Sequence, residues 1–181
     1  MDKKIILGFT GLIASGKGTA AKYFVEKHGA VSFRFSTIIR DVLDRLYLDH
    51  SREHMSKLSL VLRQNFSQDI FSKVIAQDVD NAQNNIIVID GIRRLNDIEH
   101  LKNISGFKLV AIEADMRIRY DRLVGRGENP DDQNKTWEQF QADHSLETEL
   151  TILDTIKEAD ITVNNEGNLE DLYKQLDKLV K

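Results

Sequence analysis

Short apolar runs alternate with longer amphipathic stretches along the chain. The runs are rich in β-branched residues and apolar at consecutive positions, which is typical of strands in a parallel sheet covered on both faces. They predict strands at residues 4–10, 30–35, 85–90, 108–113 and 161–164. Because strand and helix alternate, the pattern favours an α/β fold with a parallel sheet, in which ligands bind beyond the carboxyl ends of the strands.

Helical periodicity fills the segments between these runs. It predicts helices at residues 17–28, 37–49, 52–82, 95–103, 116–126, 136–157 and 169–180. The stretches 37–82 and 115–157 are longer than simple crossovers between parallel strands require. We therefore expect both stretches to be insertions that close over a site at the edge of the sheet.

Composition narrows the class of protein without changing this picture. The 181 residues, 41% of them hydrophobic, suit one globular domain. The absence of cysteine excludes disulfides, thiolate catalysis and cysteine-ligated zinc. No apolar run could cross a bilayer and no secretory apolar region opens the chain, so we expect a cytoplasmic protein that does not bind membranes. The 25 basic residues against 29 acidic ones, a net charge of −4, argue against a nucleic-acid binder.

A glycine-rich segment joins the first predicted strand to the first predicted helix. It has the form Gly-x4-Gly-Lys and runs from Gly11 to Lys17. The glycines allow successive backbone N–H groups to face inward, and Lys17 can reach the β- and γ-phosphates of a nucleoside triphosphate. Gly18 occupies the usual position of the serine or threonine that binds magnesium, and the hydroxyl comes one residue later, at Thr19. The segment therefore predicts a bound triphosphate.

Other segments carry a resemblance to a known family. Gly-Lys-Gly-Thr is the form of this loop in adenylate kinases, and the chain is identified as a member of the P-loop nucleoside monophosphate kinase superfamily, which includes dephospho-CoA kinases. Residues 90–93, Asp-Gly-Ile-Arg, resemble the segment that places a carboxylate near magnesium and an arginine on the acceptor phosphate. Residues 120–126 resemble the arginine-bearing helix that enters the lid, and residues 160–170 the strand and turn beside the adenine. Residues 51–77 resemble the acceptor-side helices of phage-type deoxynucleoside monophosphate kinases.

The resemblance implies an architecture. The fold would be a three-layer P-loop kinase fold with a five-stranded parallel sheet, and the protein a monomer or homodimer. A single domain, 1–181, would have a core of residues 1–36, 83–120 and 155–181. An acceptor-binding helical insertion would occupy about 37–82 and a lid about 121–154.

The resemblance also implies cofactors and a site. ATP with Mg²⁺ would be the phosphoryl donor, and the acceptor would be a small phosphorylated molecule. The residues expected to bind the nucleotide are Gly11, Ala14, Ser15, Gly16, Lys17, Gly18, Thr19, Asn164 and Gly167. Those expected to act in catalysis are Lys17, Arg93, Arg122 and Arg126. The expected acceptor ligands are Arg40, Arg63 and Arg93, and the expected metal ligands are Thr19 and Asp90.

Spacing supports a role for several of these arginines. One face of the predicted helix 116–126 carries three of them at i, i+3 and i+7, namely Arg119, Arg122 and Arg126. Like charges at this spacing repel, so a bound polyanion is one reason for them and a solvated face paired with nearby carboxylates is the other. Arginine offers paired donors to phosphate oxygens, which suits phosphoryl transfer. Arg93 follows a buried strand at the edge where ligands bind, and Arg40 lies one turn into the second helix.

The acceptor could offer either a phosphate oxygen or a hydroxyl group. A monophosphate oxygen is already anionic, whereas the ribose hydroxyl of dephospho-CoA must lose a proton and benefits from a nearby carboxylate. Dephospho-CoA kinases place an aspartate just after the second strand, where residues 35–38 of this chain contain no carboxylate. This favours a nucleoside or deoxynucleoside monophosphate, with dephospho-CoA as the alternative. A non-kinase ATP-binding regulator is a further alternative, because the lid segment 137–145 lacks arginine.

Overall fold

Five parallel strands form one sheet in the computed structural model, which describes residues 4–126, 132–144 and 147–180. The strands are β1 (Ile5–Thr10), β2 (Val31–Arg34), β3 (Ile86–Ile92), β4 (Phe107–Glu113) and β5 (Ile161–Asn164). Their order across the sheet is β2-β3-β1-β4-β5, so β1 is central and the segment after it emerges between the ends of β3 and β4. The predicted five-stranded parallel sheet of an α/β fold is confirmed.

Helices connect the strands and cover the sheet. They are α1 (Lys17–His28), α2 (Phe35–Arg45), α3 (Arg52–Asn65), α4 (Ile70–Asn81), α5 (Leu95–Ile98), α6 (Met116–Arg126), α7 (Trp137–Asp143), α8 (Glu147–Lys157) and α9 (Leu169–Leu176). A short 3₁₀ helix, Asp177–Val180, follows α9. Within the described ranges, no helix is long and apolar enough to cross a membrane.

The core lies in two layers, one on each face of the sheet. On one face, alternate residues such as Ile87 and Ile89 pack against apolar side chains of α2 and α4. On the other face, the intervening residues such as Leu7 and Val88 pack against α1 and α9. Because successive strand residues point to opposite faces, covering both faces requires apolar residues at consecutive positions. This is the pattern that the strands show in the sequence.

The helix boundaries differ from the prediction in the two long stretches. The single helix predicted at 52–82 is wrong, because α3 ends at Asn65 and α4 begins at Ile70. Arg63 stabilises the break by donating from Nη1 to the Gln68 carbonyl oxygen at 2.5 Å. Two of the four intervening residues, Ser67 and Asp69, are of types that favour helix ends over helix interiors. The stretch predicted as 136–157 likewise contains two helices, α7 and α8, on either side of residues 145–146, which lie outside the described part.

Candidate active site

The loop between β1 and α1 is held in a tight conformation by two glycines. Gly11 has φ +148° and Gly16 has φ +107°, a region that side chains rarely adopt. A Cβ on Gly11 would overlap the Ile112 carbonyl oxygen, and one on Gly16 would overlap the Asn165 amide nitrogen. Within the described ranges no side chain caps the start of α1, so its first N–H groups face the loop and are available to an anion.

Two polar side chains of the loop point to a phosphate ligand. Lys17 donates from Nζ to the carbonyl oxygens of Gly11 at 2.6 Å and Leu12 at 2.9 Å, so the ammonium group lies across the loop. The Ser15 hydroxyl is buried and has no hydrogen-bond partner among the described residues. Because buried polar groups are almost always paired, this hydroxyl suits a ligand or a water molecule that binds at the loop.

Asn165 fastens this loop to the end of β5, a role that the sequence analysis missed. Its side-chain amide donates to the Ser15 carbonyl oxygen at 2.8 Å, and its backbone N–H donates to the Glu113 carbonyl oxygen at 2.7 Å. Asn165 is 6% exposed, whereas the predicted nucleotide ligands Asn164 and Gly167 are both exposed. The alternation of a strand, continued one residue past the end of β5, would have placed Asn165 on the buried side.

A cavity of about 270 Å³ lies between this loop and the carboxyl ends of β4 and β5; we call it the β4–β5 cavity. Its lining residues are Leu12, Ser15, Ile112, Glu113, Ala114, Asp115, Arg119, Leu153, Ile156, Asn164 and Glu166. Of the two predicted nucleotide ligands near β5, Asn164 lines this cavity and Gly167 does not. The mixture of aliphatic side chains with backbone and polar groups suits a flat, partly polar ring.

A second cavity, of about 410 Å³, lies on the opposite side of the loop, between α1, α2 and the ends of β2 and β3; we call it the β2–β3 cavity. Its lining residues are Gly18, Ala21, Lys22, Val25, Glu26, Ser32, Arg34, Thr37, Arg40 and Asp90. Arg40 is among them and donates from Nη1 to the Ser36 hydroxyl at 2.9 Å. The structure thus brings Arg40 and Asp90 together in one cavity.

Asp90 is paired with an arginine that the sequence analysis did not consider. Arg34, the last residue of β2, donates from Nε and Nη2 to one oxygen of Asp90, Oδ2, at 2.8 and 2.6 Å. The two residues are register partners on neighbouring strands, which explains why residues 56 apart in sequence meet here. The sequence signal was an arginine between Phe33 and Phe35 at the end of a strand, the position where ligands bind in such sheets.

The residues of this region fit a magnesium ion that arrives with a nucleotide. Magnesium sites often use one or two carboxylates together with substrate phosphates and waters. Asp90 is 6% exposed at the end of β3, and Thr19 is exposed in the first turn of α1. In the described ranges, no group of three or more His, Cys, Asp or Glu side chains could hold a metal by itself. Asp90 and Thr19 would therefore share the ion with phosphate oxygens.

Arg93 and Arg63 belong to one hydrogen-bonded unit after β3. Arg93 is exposed, and its backbone N–H donates to Asp97 Oδ2 at 3.0 Å. Arg63 is buried on α3 and donates from Nη2 to Asp97 Oδ1 at 2.7 Å, above the ring of Phe71. The structure therefore does not bring Arg63 into the β2–β3 cavity, because Asp97 and the Gln68 carbonyl occupy its guanidinium. Its contacts are those of a residue that supports the segment carrying Arg93.

The arginines of α6 have different surroundings. Arg119 is 3% exposed and donates to the carbonyl oxygens of Ala114 and Ile13, at 3.1 and 3.2 Å, and to His144 Nε2 at 2.9 Å. Arg122 is half-buried, its Nη1 has no partner among the described residues, and burial lowers the pKa of its guanidinium. An unpaired, buried guanidinium nitrogen is costly unless an anion binds it. The side chain of Arg126 lies outside the described part.

A small apolar cluster joins the loop to α6 and α7. Ala14, which adopts a left-handed backbone with φ +59°, packs with the fully buried Leu123 and Phe140. Trp137 packs against the same cluster, with its ring 6.1 Å from that of Phe140. These two aromatic residues attach α7 to the body of the protein. The start of α7 is therefore held beside the phosphate loop.

The sheet order and the glycine-rich loop after its central strand define a P-loop protein with a kinase-like fold. A family model described as AAA domain matches residues 10–141. UPF0200 protein TK1334 of Thermococcus kodakarensis is 30% identical over 181 residues, covering 97% of this chain and 96% of the relative. The UPF0200 protein of Thermococcus onnurineus is 28% identical over 182 residues, covering 98% and 97%. The chain therefore belongs to the AAA domain family and to the UPF0200 proteins.

Solved structures support the same fold. TT1252 from Thermus thermophilus superposes with a TM-score of 0.60 at 18% identity, covering 99% of this chain and 97% of the other. Shikimate kinase from Bacteroides thetaiotaomicron gives a TM-score of 0.62 at 15% identity, covering 97% and 96%. The predicted resemblance to P-loop kinases is confirmed at the level of the fold.

Proposed function

We propose that the protein is an ATP- and Mg²⁺-dependent phosphotransferase that moves the γ-phosphoryl group to a nucleoside or deoxynucleoside monophosphate. One observation carries the proposal: two cavities open on opposite sides of the phosphate loop, and they differ in charge. Three basic side chains, Lys22, Arg34 and Arg40, line the β2–β3 cavity beside two carboxylates, whereas Arg119 lines the β4–β5 cavity beside three, those of Glu113, Asp115 and Glu166. Such an arrangement suits a donor and an acceptor that meet in line at the transferring phosphoryl group.

The donor would occupy the β4–β5 cavity and the loop. Its base would lie near Asn164, and its phosphates would accept hydrogen bonds from the N–H groups of the loop and of α1. Lys17 would leave the carbonyl oxygens of Gly11 and Leu12 for the β- and γ-phosphates, which are stronger acceptors because they are charged. Asp90 and Thr19 would hold magnesium, which neutralises phosphate charge.

The acceptor would occupy the β2–β3 cavity, where Arg40 would bind its phosphate, with Arg93 approaching from the segment after β3. Arg122 and Arg126 would neutralise the transferring group, as part of a lid at about 121–154. The carboxylates that line this cavity in the described structure are Glu26 and Asp90, and both have cationic partners. A hydroxyl acceptor would need a base, and so the cavity favours a phosphate acceptor over dephospho-CoA.

The test is release of ADP from Mg·ATP across a panel of ribo- and deoxynucleoside monophosphates and dephospho-CoA. We expect one monophosphate to raise turnover well above the rate with water alone. Lys17→Ala should lower that turnover by about 10²-fold or more, as expected when a donor that stabilises transition-state charge is removed. Lys57→Ala, on the exposed surface of α3, is the matched control and should leave turnover unchanged.

The other outcomes decide between the alternatives. Stimulation by dephospho-CoA alone would replace the monophosphate with a hydroxyl acceptor in the same enzyme class. If ATP binds but no acceptor raises the rate of ADP release above the rate with water alone, the kinase proposal is contradicted and an ATP-binding regulator is favoured.

A further inference from the structure

Arg34 occupies a position in the β2–β3 cavity that its contacts only partly explain. It lies at the carboxyl end of β2, and its side chain is 46% exposed, whereas that of its partner Asp90 is 8% exposed. Both of its hydrogen bonds go to Oδ2 of Asp90. In the described part of the chain, the remaining nitrogen of its guanidinium group, Nη1, has no protein partner. Arg34 lines the cavity together with Arg40 and Thr37.

This guanidinium also lies next to the start of α1. A Cβ built on Gly18 would be 4.0 Å from Arg34 Nη2, and Gly18 directly follows the lysine of the phosphate loop. Arg34 is therefore close to the place where a phosphoryl group on that loop would face an acceptor in this cavity.

The charges in the cavity are balanced in pairs, with one cation in excess. Lys22 and Glu26 are 3.6 Å apart on α1, and Arg34 is paired with Asp90. Among the residues that the structure describes, the hydrogen bond of Arg40 goes to a neutral hydroxyl, that of Ser36. If Asp90 turns to a magnesium ion, two guanidinium groups face the cavity without a carboxylate partner. That charge of about +2 complements a phosphate monoester, which carries about −1.5 to −2 at neutral pH.

We propose that Arg34 is a second acceptor-binding arginine, which forms a clamp with Arg40 for the phosphate of a nucleoside monophosphate. In the absence of magnesium, Asp90 holds Arg34 and the clamp is incomplete. When Asp90 binds the metal, Arg34 is released to the acceptor. The proposal rests on the proposed function, because it places the acceptor phosphate in the same cavity.

The test measures acceptor binding and not turnover. The protein is saturated with ADP, so that its phosphate loop is filled, and titrated calorimetrically with AMP, CMP, GMP, UMP and the deoxynucleoside monophosphates. Each titration is made once with EDTA and once with Mg²⁺. For the wild type, we expect the tightest monophosphate to bind at least fivefold more tightly with Mg²⁺ than with EDTA.

Three variants distinguish a role of Arg34 in binding the acceptor from a purely structural ion pair with Asp90. Asp90→Asn should bind the monophosphate in EDTA at least fivefold more tightly than the wild type does, because Arg34 is no longer held by a carboxylate. Arg34→Gln should bind it at least tenfold more weakly than the wild type with Mg²⁺, and Arg34→Lys should recover part of the loss. Arg45→Gln, an exposed arginine at the end of the same helix as Arg40, is the control and should bind like the wild type.

Arg34→Gln leaves Asp90 without its partner, so thermal unfolding is recorded for every variant. If Arg34→Gln does not fold, the double variant Arg34→Gln/Asp90→Asn replaces it, since this change leaves no unpaired charge. Any one of three results would overturn the proposed clamp. The folded Arg34→Gln variant could bind the monophosphate as tightly as the wild type, or Asp90→Asn could bind it in EDTA no more tightly than the wild type. The third result is that no monophosphate binds more tightly to the wild type with Mg²⁺ than with EDTA. If binding behaves as expected while no acceptor is phosphorylated, the kinase proposal fails and the clamp stands.

Discussion

The contact between Asn165 and the phosphate loop leads to a quantitative prediction about stability. Asn165→Ala removes a buried hydrogen bond and leaves the Ser15 carbonyl oxygen without a partner. Losing one partner of a buried pair costs about 1–3 kcal/mol in the free energy of unfolding. We expect the variant to fold with its stability lowered by this amount.

Gly16→Ala should lower the free energy of unfolding by more than Asn165→Ala does, because two effects add. A residue with a Cβ in a left-handed conformation is strained by about 1–2 kcal/mol, and φ at Gly16 is +107°. The new methyl group would also overlap the Asn165 amide and displace it from the Ser15 carbonyl oxygen. The sum is about 2–5 kcal/mol, of which about 1–3 kcal/mol is the same hydrogen bond.

The double variant distinguishes this explanation from independent effects. Because the hydrogen bond can be lost only once, Gly16→Ala/Asn165→Ala should be more stable than the sum of the single changes implies, by about 1–3 kcal/mol. Urea unfolding of the four proteins gives the coupling directly. Asn164→Ala, at an exposed position one residue earlier, is the control and should be additive with Gly16→Ala. Additivity within about 0.5 kcal/mol for the Asn165 cycle would refute the reasoning.

Two further predictions concern ion pairs away from the loop. Arg63→Ala should lower the free energy of unfolding by about 3–5 kcal/mol, because it leaves the buried Asp97 carboxylate unpaired; a loss below about 1 kcal/mol in urea unfolding would contradict this. Hydrogen bonds from Tyr23 and His28 hold the pKa of the Asp177 carboxyl below its ordinary value of 3.8. This stabilisation is complete above pH 3.8 and is lost as the pH falls through the lowered pKa, so acid should destabilise the wild type more than Asp177→Asn. The unfolding midpoints of both proteins, measured between about pH 6 and pH 2.5, test this prediction. Midpoints that fall in parallel for the wild type and Asp177→Asn would contradict it.

The sheet could be predicted from local patterns because both of its faces are buried. Residues such as Leu7 and Val88 had to be apolar next to apolar neighbours, and this signal is continuous within each strand. The break between α3 and α4 could not be predicted in the same way. It depends on Arg63 bonding the Gln68 carbonyl while also pairing with Asp97, a residue 34 positions away.

The candidate site likewise contains residues that local sequence patterns indicate and residues that they do not. The phosphate loop, Arg40 and Asp90 belong to segments whose local form indicates the carboxyl end of a strand or the helix that follows it. Arg34 and Asn165 were missed because their importance comes from partners distant in sequence, Asp90 and Ser15 respectively. The register between β2 and β3 creates the first contact, and the approach of β5 to the loop creates the second. Strand alternation could have indicated that Asn165 is buried, but it does not indicate that its partner is Ser15.

Arg119 gives the fold a mechanical link between the phosphate loop and α7. One guanidinium donates both to the Ile13 carbonyl oxygen of the loop and to His144 at the end of α7. The other ring nitrogen of His144 lies 2.8 Å from the Phe140 carbonyl oxygen and must donate to it, so the nitrogen facing Arg119 carries the lone pair. An outward movement of α7 therefore removes a partner from the same group that holds the loop. Since linkage acts in both directions, a ligand that stiffens the loop also restrains α7, and the release of one favours the release of the other.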